Sequence, residues 1–171
     1  VKKHHPTLLL ILVPRHPERF NSVATQCQQH FKTIRRSSKS SLDVDTDIWL
    51  LDTLGELLAA FSLANVVTMG GSFSHIGGHN PLEAALFKLP ILVGADMHNF
   101  TDVMAQLEQQ QGIIQLKDTS NISNDLSTEV NKILNQPQLA AKYGERAYQV
   151  VQANQGASQR SIDKLIELIE I

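Results

Sequence analysis

Short apolar runs and amphipathic stripes alternate from one end of this chain to the other. Thr7-Leu8-Leu9-Leu10-Ile11-Leu12-Val13 is continuously apolar until Pro14 ends it, the pattern of a parallel-sheet strand buried on both faces, which predicts a central strand. Pro17 suits the first turn of a helix, and Phe20, Val23, Cys27 and Phe31 form one stripe, predicting a helix to about residue 31. Thr33 to Arg36 predicts a second strand at a sheet edge. The Ser- and Asp-rich residues 37–46 carry no apolar periodicity and predict a loop.

Asp47-Ile48-Trp49-Leu50-Leu51 predicts a third strand, and Thr53-Leu54-Gly55-Glu56 has the spacing of a capping box opening a helix to about Ala64. Val66 to Met69 predicts a fourth strand. It runs into Gly70-Gly71-Ser72-Phe73-Ser74-His75-Ile76-Gly77-Gly78, which holds four of the nine glycines. Asn80-Pro81-Leu82-Glu83 supplies an N-cap, a proline at the first helical position and an acid at the third, opening another helix. Leu89 to Val93 predicts a fifth strand, Phe100, Val103, Met104 and Leu107 a helix from near Asn99, and Gly112 to Gln115 a short sixth strand. The stripes Ile122/Leu126/Val130/Ile133, Leu139/Tyr143/Ala147/Val150 and Ile162/Leu165/Ile166/Ile169 predict three closing helices, punctuated by Pro137 and Gly156. Strands alternating with helices imply an α/β, Rossmann-like doubly wound parallel sheet, in a single domain over residues 1–171.

Composition narrows the function classes. The chain has 171 residues, 42% of them apolar, with 15 Lys+Arg against 17 Asp+Glu, which describes a globular domain rather than a disordered or fibrous chain. No run of 18 apolar residues and no secretory pattern occurs; the expectation is a piece that neither crosses a membrane nor carries its own export address. The single Cys27 excludes an intrachain disulfide and is compatible with a reducing compartment. The sequence starts with Val and enters a strand almost at once, the expectation being a fragment of something longer. Near-zero net charge hides an asymmetry. Residues 1–40 carry eight Lys/Arg and one acid, Glu18, which reads either as a solvated basic face or as attraction for an anionic substrate or membrane surface. The charge balance and the lack of aromatic-interleaved basic stretches argue against nucleic acid.

In doubly wound sheets, ligands bind beyond the carboxyl ends of the strands. Pro14 to Pro17, Asp52-Thr53, Gly70 to His79 and Gly94 to Asn99 all fall there. A glycine-rich loop lets backbone N–H groups approach a phosphate, and a following helix adds its unsatisfied donors; Gly70-Gly71 and Gly77-Gly78-His79-Asn80 have that form. The alternative is a glycine turn that serves only tight packing. Neither a GxGxxG after the first strand nor a GxxxxGK[ST] occurs. Glu83, three positions after Asn80, either accepts both hydroxyls of a ribose or closes a capping box on the Asn80 N–H. Arg15 presents a planar fork able to clamp a phosphate or carboxylate, or is a solvated surface residue. His16 and His79 can add donors. His75 and His79 share an i, i+4 spacing but sit in a glycine loop, so no metal is expected. No nucleophile elbow, Cys/His pair or pair of matched carboxylates stands out, and no catalytic residue or cofactor is assigned to the chain.

Val13-Pro14-Arg15-His16-Pro17-Glu18-Arg19-Phe20, then Asp52-Thr53-Leu54-Gly55-Glu56-Leu57, then Gly70-Gly71-Ser72 with Gly77-Gly78-His79-Asn80-Pro81-Leu82-Glu83, resemble in order and spacing the C-terminal half of 3-deoxy-D-manno-oct-2-ulosonic acid (Kdo) transferases. The resemblance implies the donor-binding half of a two-domain GT-B glycosyltransferase that moves Kdo from CMP-Kdo to a lipid A precursor with inversion, at the cytoplasmic face of a bacterial inner membrane. It implies that the acceptor domain and the base are absent from this chain, which alone would be inactive. It implies CMP-Kdo contacts from Arg15, His16, Gly70, Gly71, Ser72, Gly78, His79, Asn80 and Glu83. The alternatives are the donor domain of another GT-B enzyme using a UDP-sugar, or a non-catalytic α/β binding module.

Overall fold

The computed structural model of the chain describes residues 1–117 and 121–155. The Gly156 punctuation and the stripe from Ile162 to Ile169 lie outside the described residues. The chain divides into two compact units, Val1–Ala64 and a second beginning at Asn65.

In the first unit the elements are β1 (Leu10–Leu12), a 3-10 turn at Pro17–Arg19, α1 (Phe20–Gln28), β2 (Thr33–Arg35), β3 (Ile48–Leu50) and α2 (Leu57–Leu63). The strands form a parallel ladder in the order β1-β3-β2, with Ile11 and Ile34 both in register with Trp49. The apolar run expected to be central is an outer strand of this ladder, and its Leu10 is 49% exposed; β3 takes the middle, with Leu50 fully buried. An apolar run reports that a strand can be buried, but pairing decides which strand is. α1 stops three residues before Phe31, which is exposed, because the chain turns back there to enter β2.

The capping box expected at Thr53–Glu56 does not form. Gly55 sits at φ 82°, outside the helical region, so α2 begins only at Leu57. The Glu56 carboxylate turns instead to the Thr53 hydroxyl and to the Arg36 guanidinium.

The second unit runs β4 (Val67–Met69), a 3-10 turn at Gly70–Phe73, α3 (Leu82–Ala85), β5 (Ile91–Val93), a 3-10 turn at His98–Phe100, α4 (Thr101–Gln109), β6 (Ile114–Gln115), α5 (Ile122–Asn135) and α6 (Pro137–Asn154). Its ladder is parallel in the order β4-β5-β6, and every residue of β5 is fully buried, as a middle strand covered on both faces must be. Met104 and Leu107 of α4, Ile133 of α5 and Ala147 and Val150 of α6, all on the stripes expected from the spacing, complete the core together with Val151, whereas Ile122, at the start of the expected α5 stripe, is exposed. α6 comes so close to the turn between α3 and β5 that a Cβ on Gly144 would lie 1.8 Å from the Lys88 carbonyl oxygen.

Candidate functional site

Because each ladder is parallel, the loops after its strands emerge at one end of the unit, where three of the four expected segments carry chemistry. In the first unit, Pro17 starts the 3-10 turn that leads directly into α1. This leaves Arg15 exposed, and among the described residues its guanidinium has no hydrogen-bond or ion-pair partner. His16, also exposed, has Nδ1 3.7 Å from the Glu18 carboxylate.

The acids of this unit are committed elsewhere. The buried Asp52 carboxylate accepts from Arg35 Nε at 2.5 Å, from the Ser37 amide at 2.8 Å and from the Ser37 hydroxyl at 2.5 Å. Burial pushes this carboxyl up, but the Ser37 donors and Arg35 outweigh it and hold it below the ordinary value. Glu56 is likewise held low, chiefly by the Thr53 hydroxyl and then, against desolvation, by Arg36. Two arginines, Arg35 and Arg36, are thus paired with acids inside the unit, which Arg15 is not among the described residues.

In the second unit the glycine loop is stitched to the loop after β5. Ser72 is buried; its hydroxyl donates to the Met69 carbonyl at 2.5 Å and accepts from the Gly94 amide at 2.6 Å. Its backbone carbonyl accepts from the Asp96 amide at 3.0 Å. That hydroxyl is therefore occupied with holding the scaffold. Gly70 is exposed at the start of the turn, and Gly71 lies against His79, whose ring is 2.7 Å from where a Gly71 Cβ would be. Gly77 and Gly78 both adopt left-handed backbone, φ 83° and 77°, which a side chain would strain. The Gly77 amide is taken by Asp96 Oδ2 at 3.0 Å. Gly78 is buried and its amide has no acceptor among the described residues. A buried N–H without an acceptor is uncommon.

Asn80 caps the following turn as expected, its Oδ1 accepting from the Leu82 amide at 3.1 Å. Glu83 does not fold back onto the Asn80 amide. It is half-buried in α3, and among the described residues its carboxylate has no hydrogen-bond or ion-pair partner. The helix itself departs from expectation: α3 has only four residues, because the chain leaves it for the left-handed Lys88 and then Pro90. So short a helix carries little macrodipole.

Sequence reasoning located the loop from Gly94 to Asn99 but missed its groups. Asp96 Oδ1 lies 2.6 Å from His98 Nδ1, and Asn99 Nδ2 donates to the Ile76 carbonyl at 2.9 Å. His98 holds the Asp96 carboxyl below its ordinary value, with burial opposing and the Gly77 amide assisting. The only hint in the sequence was a cluster of polar residues directly after a buried strand. Exposed His75 and the other His, Cys and acids form no group of three able to hold a metal among the described residues. Among the described residues, the second unit offers fixed donors and a carboxylate without a partner, and the first unit, taken by itself, an arginine without one. These are groups able to bind a phosphorylated, hydroxylated ligand, and the one close acid–imidazole pair in the second unit's loops, Asp96 with His98, is tied to the Gly77 turn.

No family model matches the chain. It is 37% identical over 167 residues to the 3-deoxy-D-manno-octulosonic acid transferase of Haemophilus influenzae, covering 97% of this chain and 38% of that protein. It is 35% identical to the transferase of the same name from Rickettsia prowazekii, covering 94% and 34%. The chain thus spans between a third and two fifths of these curated relatives. Its fold is similar to the crystal structure of the C-terminal CMP-Kdo binding domain of WaaA from Acinetobacter baumannii, with a TM-score of 0.79, 31% identity, and 85% of this chain and 74% of that chain covered.

Proposed function

Given that this chain belongs to the 3-deoxy-D-manno-octulosonic acid transferase family, we propose that it is that enzyme's donor-binding domain and takes up CMP-Kdo. The whole protein then transfers Kdo to a lipid A precursor with inversion, at the cytoplasmic face of the inner membrane, its acceptor site and base lying in residues that this chain does not contain. Among the described residues no helix is long and apolar enough to cross a membrane.

The observation that carries the reading is Glu83. A half-buried carboxylate on the first turn after a left-handed glycine pair, without a partner among the described residues, has its lone pairs available for two ribose hydroxyls. In the same unit, the reading assigns the amides of Gly70, Gly71, Gly78 and Asn80, with His79, to the phosphate and the sugar carboxylate; in the first unit it assigns Arg15 and His16 to the phosphate or base. Ser72 serves this set from behind, by fixing the loop. As the bond from the sugar to the phosphate breaks, negative charge grows on the departing CMP. Donors already fixed toward that phosphate therefore bind the transition state more strongly than the ground state.

Calorimetric titration of CMP and UDP into the chain tests this. CMP is expected to bind more tightly than UDP, and Glu83→Ala and Arg15→Ala are each expected to weaken CMP binding by about 1–3 kcal/mol, the worth of a charge-assisted hydrogen bond. A preference for UDP would move the chain to another GT-B donor class. No response to either nucleotide would leave only a binding module for some other partner.

A further inference from the structure

We infer that Asp96 is a positioning residue for the ligand of the glycine loop, acting through the Gly77–Gly78 turn; the inference rests on the proposal that CMP binds there. Asp96 is itself fixed, because its amide donates to the Ser72 carbonyl at 3.0 Å. From that anchored backbone its carboxylate reaches across to the neighbouring loop, with Oδ2 accepting the Gly77 amide at 3.0 Å. Oδ1 meets His98 Nδ1 at 2.6 Å and the His98 amide at 3.4 Å, so the carboxylate cannot swing away without giving up a second partner.

The same loop fixes the other side of the turn. The Asn99 amide donates to the Gly77 carbonyl at 3.4 Å, and Asn99 Nδ2 to the Ile76 carbonyl at 2.9 Å. The Gly77 carbonyl and the Gly78 amide belong to one planar trans peptide, so they point in opposite directions. Holding the carbonyl toward Asn99 therefore turns the Gly78 N–H away from that loop, and no acceptor among the described residues meets it. Glycines at φ 83° and 77° have many other conformations open to them. Asp96 and Asn99 remove that freedom before a ligand arrives, which lowers the ordering cost of binding.

Charge makes the inference separable from simple electrostatics. Asp96 places a negative group beside a site read as binding an anion. By Coulomb's law alone, removing it tightens binding, whereas if it positions the turn, removing it weakens binding. Calorimetric titration of CMP into the 171-residue chain, with thermal melting of each variant, is the experiment. Asp96→Ala is expected to bind CMP about tenfold more weakly, as loss of a hydrogen bond to a charged group implies. Asp96→Asn is expected to stay within about threefold of the parent, because its amide oxygen still accepts from Gly77 and its NH2 can donate to His98.

Unchanged or tighter CMP binding by a folded Asp96→Ala overturns the inference and leaves the reading of the site standing. A loss in Asp96→Asn as large as in Asp96→Ala also overturns it, since the acceptor would then not be what matters. Should Asp96→Ala fail to fold, Asn99→Ala loosens the same turn from its other side and is expected to weaken CMP binding about fivefold; unchanged affinity there overturns the inference as well. If the unaltered chain binds no CMP, the proposed function falls and this inference falls with it.

Discussion

Gly144→Ala sets two physical effects of opposite sign against each other. Gly144 lies within α6, where alanine is the better helix former by about 1 kcal/mol, so local propensity alone predicts a more stable protein. The tertiary surroundings predict the reverse. An alanine Cβ would lie 1.8 Å from the Lys88 carbonyl oxygen, 2.5 Å from the Lys88 carbonyl carbon and 3.3 Å from the Leu89 nitrogen. All three are backbone atoms, and no side chain can rotate aside. Restoring an ordinary contact requires α6 and the turn after α3 to separate by roughly 1.5 Å, loosening a core that includes the fully buried Ala147 and the nearly buried Val150. Overpacking of this kind costs about 1–3 kcal/mol, occasionally more, and the poor room for relaxation puts it at the upper end. The net expectation is a loss of about 2 kcal/mol, a fall in melting temperature of roughly 4–8 °C for a chain of this length. Thermal unfolding followed by circular dichroism measures it. Ala141→Gly, at an exposed position of the same helix, calibrates propensity alone. A melting temperature for Gly144→Ala equal to or above the parent's would show that α6 does not depend on close backbone approach there.

Two further outcomes follow from the loops beyond the strands. Ser72→Ala removes the acceptor of the buried Gly94 amide and the donor to the Met69 carbonyl; urea unfolding is expected to show a loss of about 1–3 kcal/mol, and an unchanged midpoint would mean that water replaces the hydroxyl. Asp52 has a folded pKa below its ordinary 3.8, so its contribution to stability is complete above that value and is lost as pH falls through the lower, folded one. The difference in melting temperature between the parent and Asp52→Asn should therefore narrow as pH drops from about 6 to about 3, since a protonated carboxyl resembles the amide; a gap that held constant would mean that the Arg35 and Ser37 interactions do not depend on its charge.

Apolar periodicity determined the sequence of alternating strands and helices, because burial of a face is written in side-chain spacing whatever the fold does at long range. Six strands fell within a few residues of their positions, and the stripes of α4, α5 and α6 bury Leu107, Ile133 and Ala147 as their spacing requires. Short-range chemistry was legible too: Asn80 caps the turn after it, and the carboxyl ends of the strands carry the polar groups. Tertiary structure decided the rest. Whether a strand is outer or middle in its ladder depends on which backbone pairs with it, and nothing in Leu8 to Val13 encodes that β3 pairs on both of its sides. Thr53-x-x-Glu56 and Asn80-x-x-Glu83 look alike as capping motifs, yet neither acid caps. Glu56 is drawn to Arg36, 20 residues away in sequence, while Glu83 has no protein partner among the described residues. A carboxylate goes where the strongest donor is, and only the folded chain settles which donors come within reach. Asp96 was invisible for the same reason, its partner Gly77 being 19 residues distant.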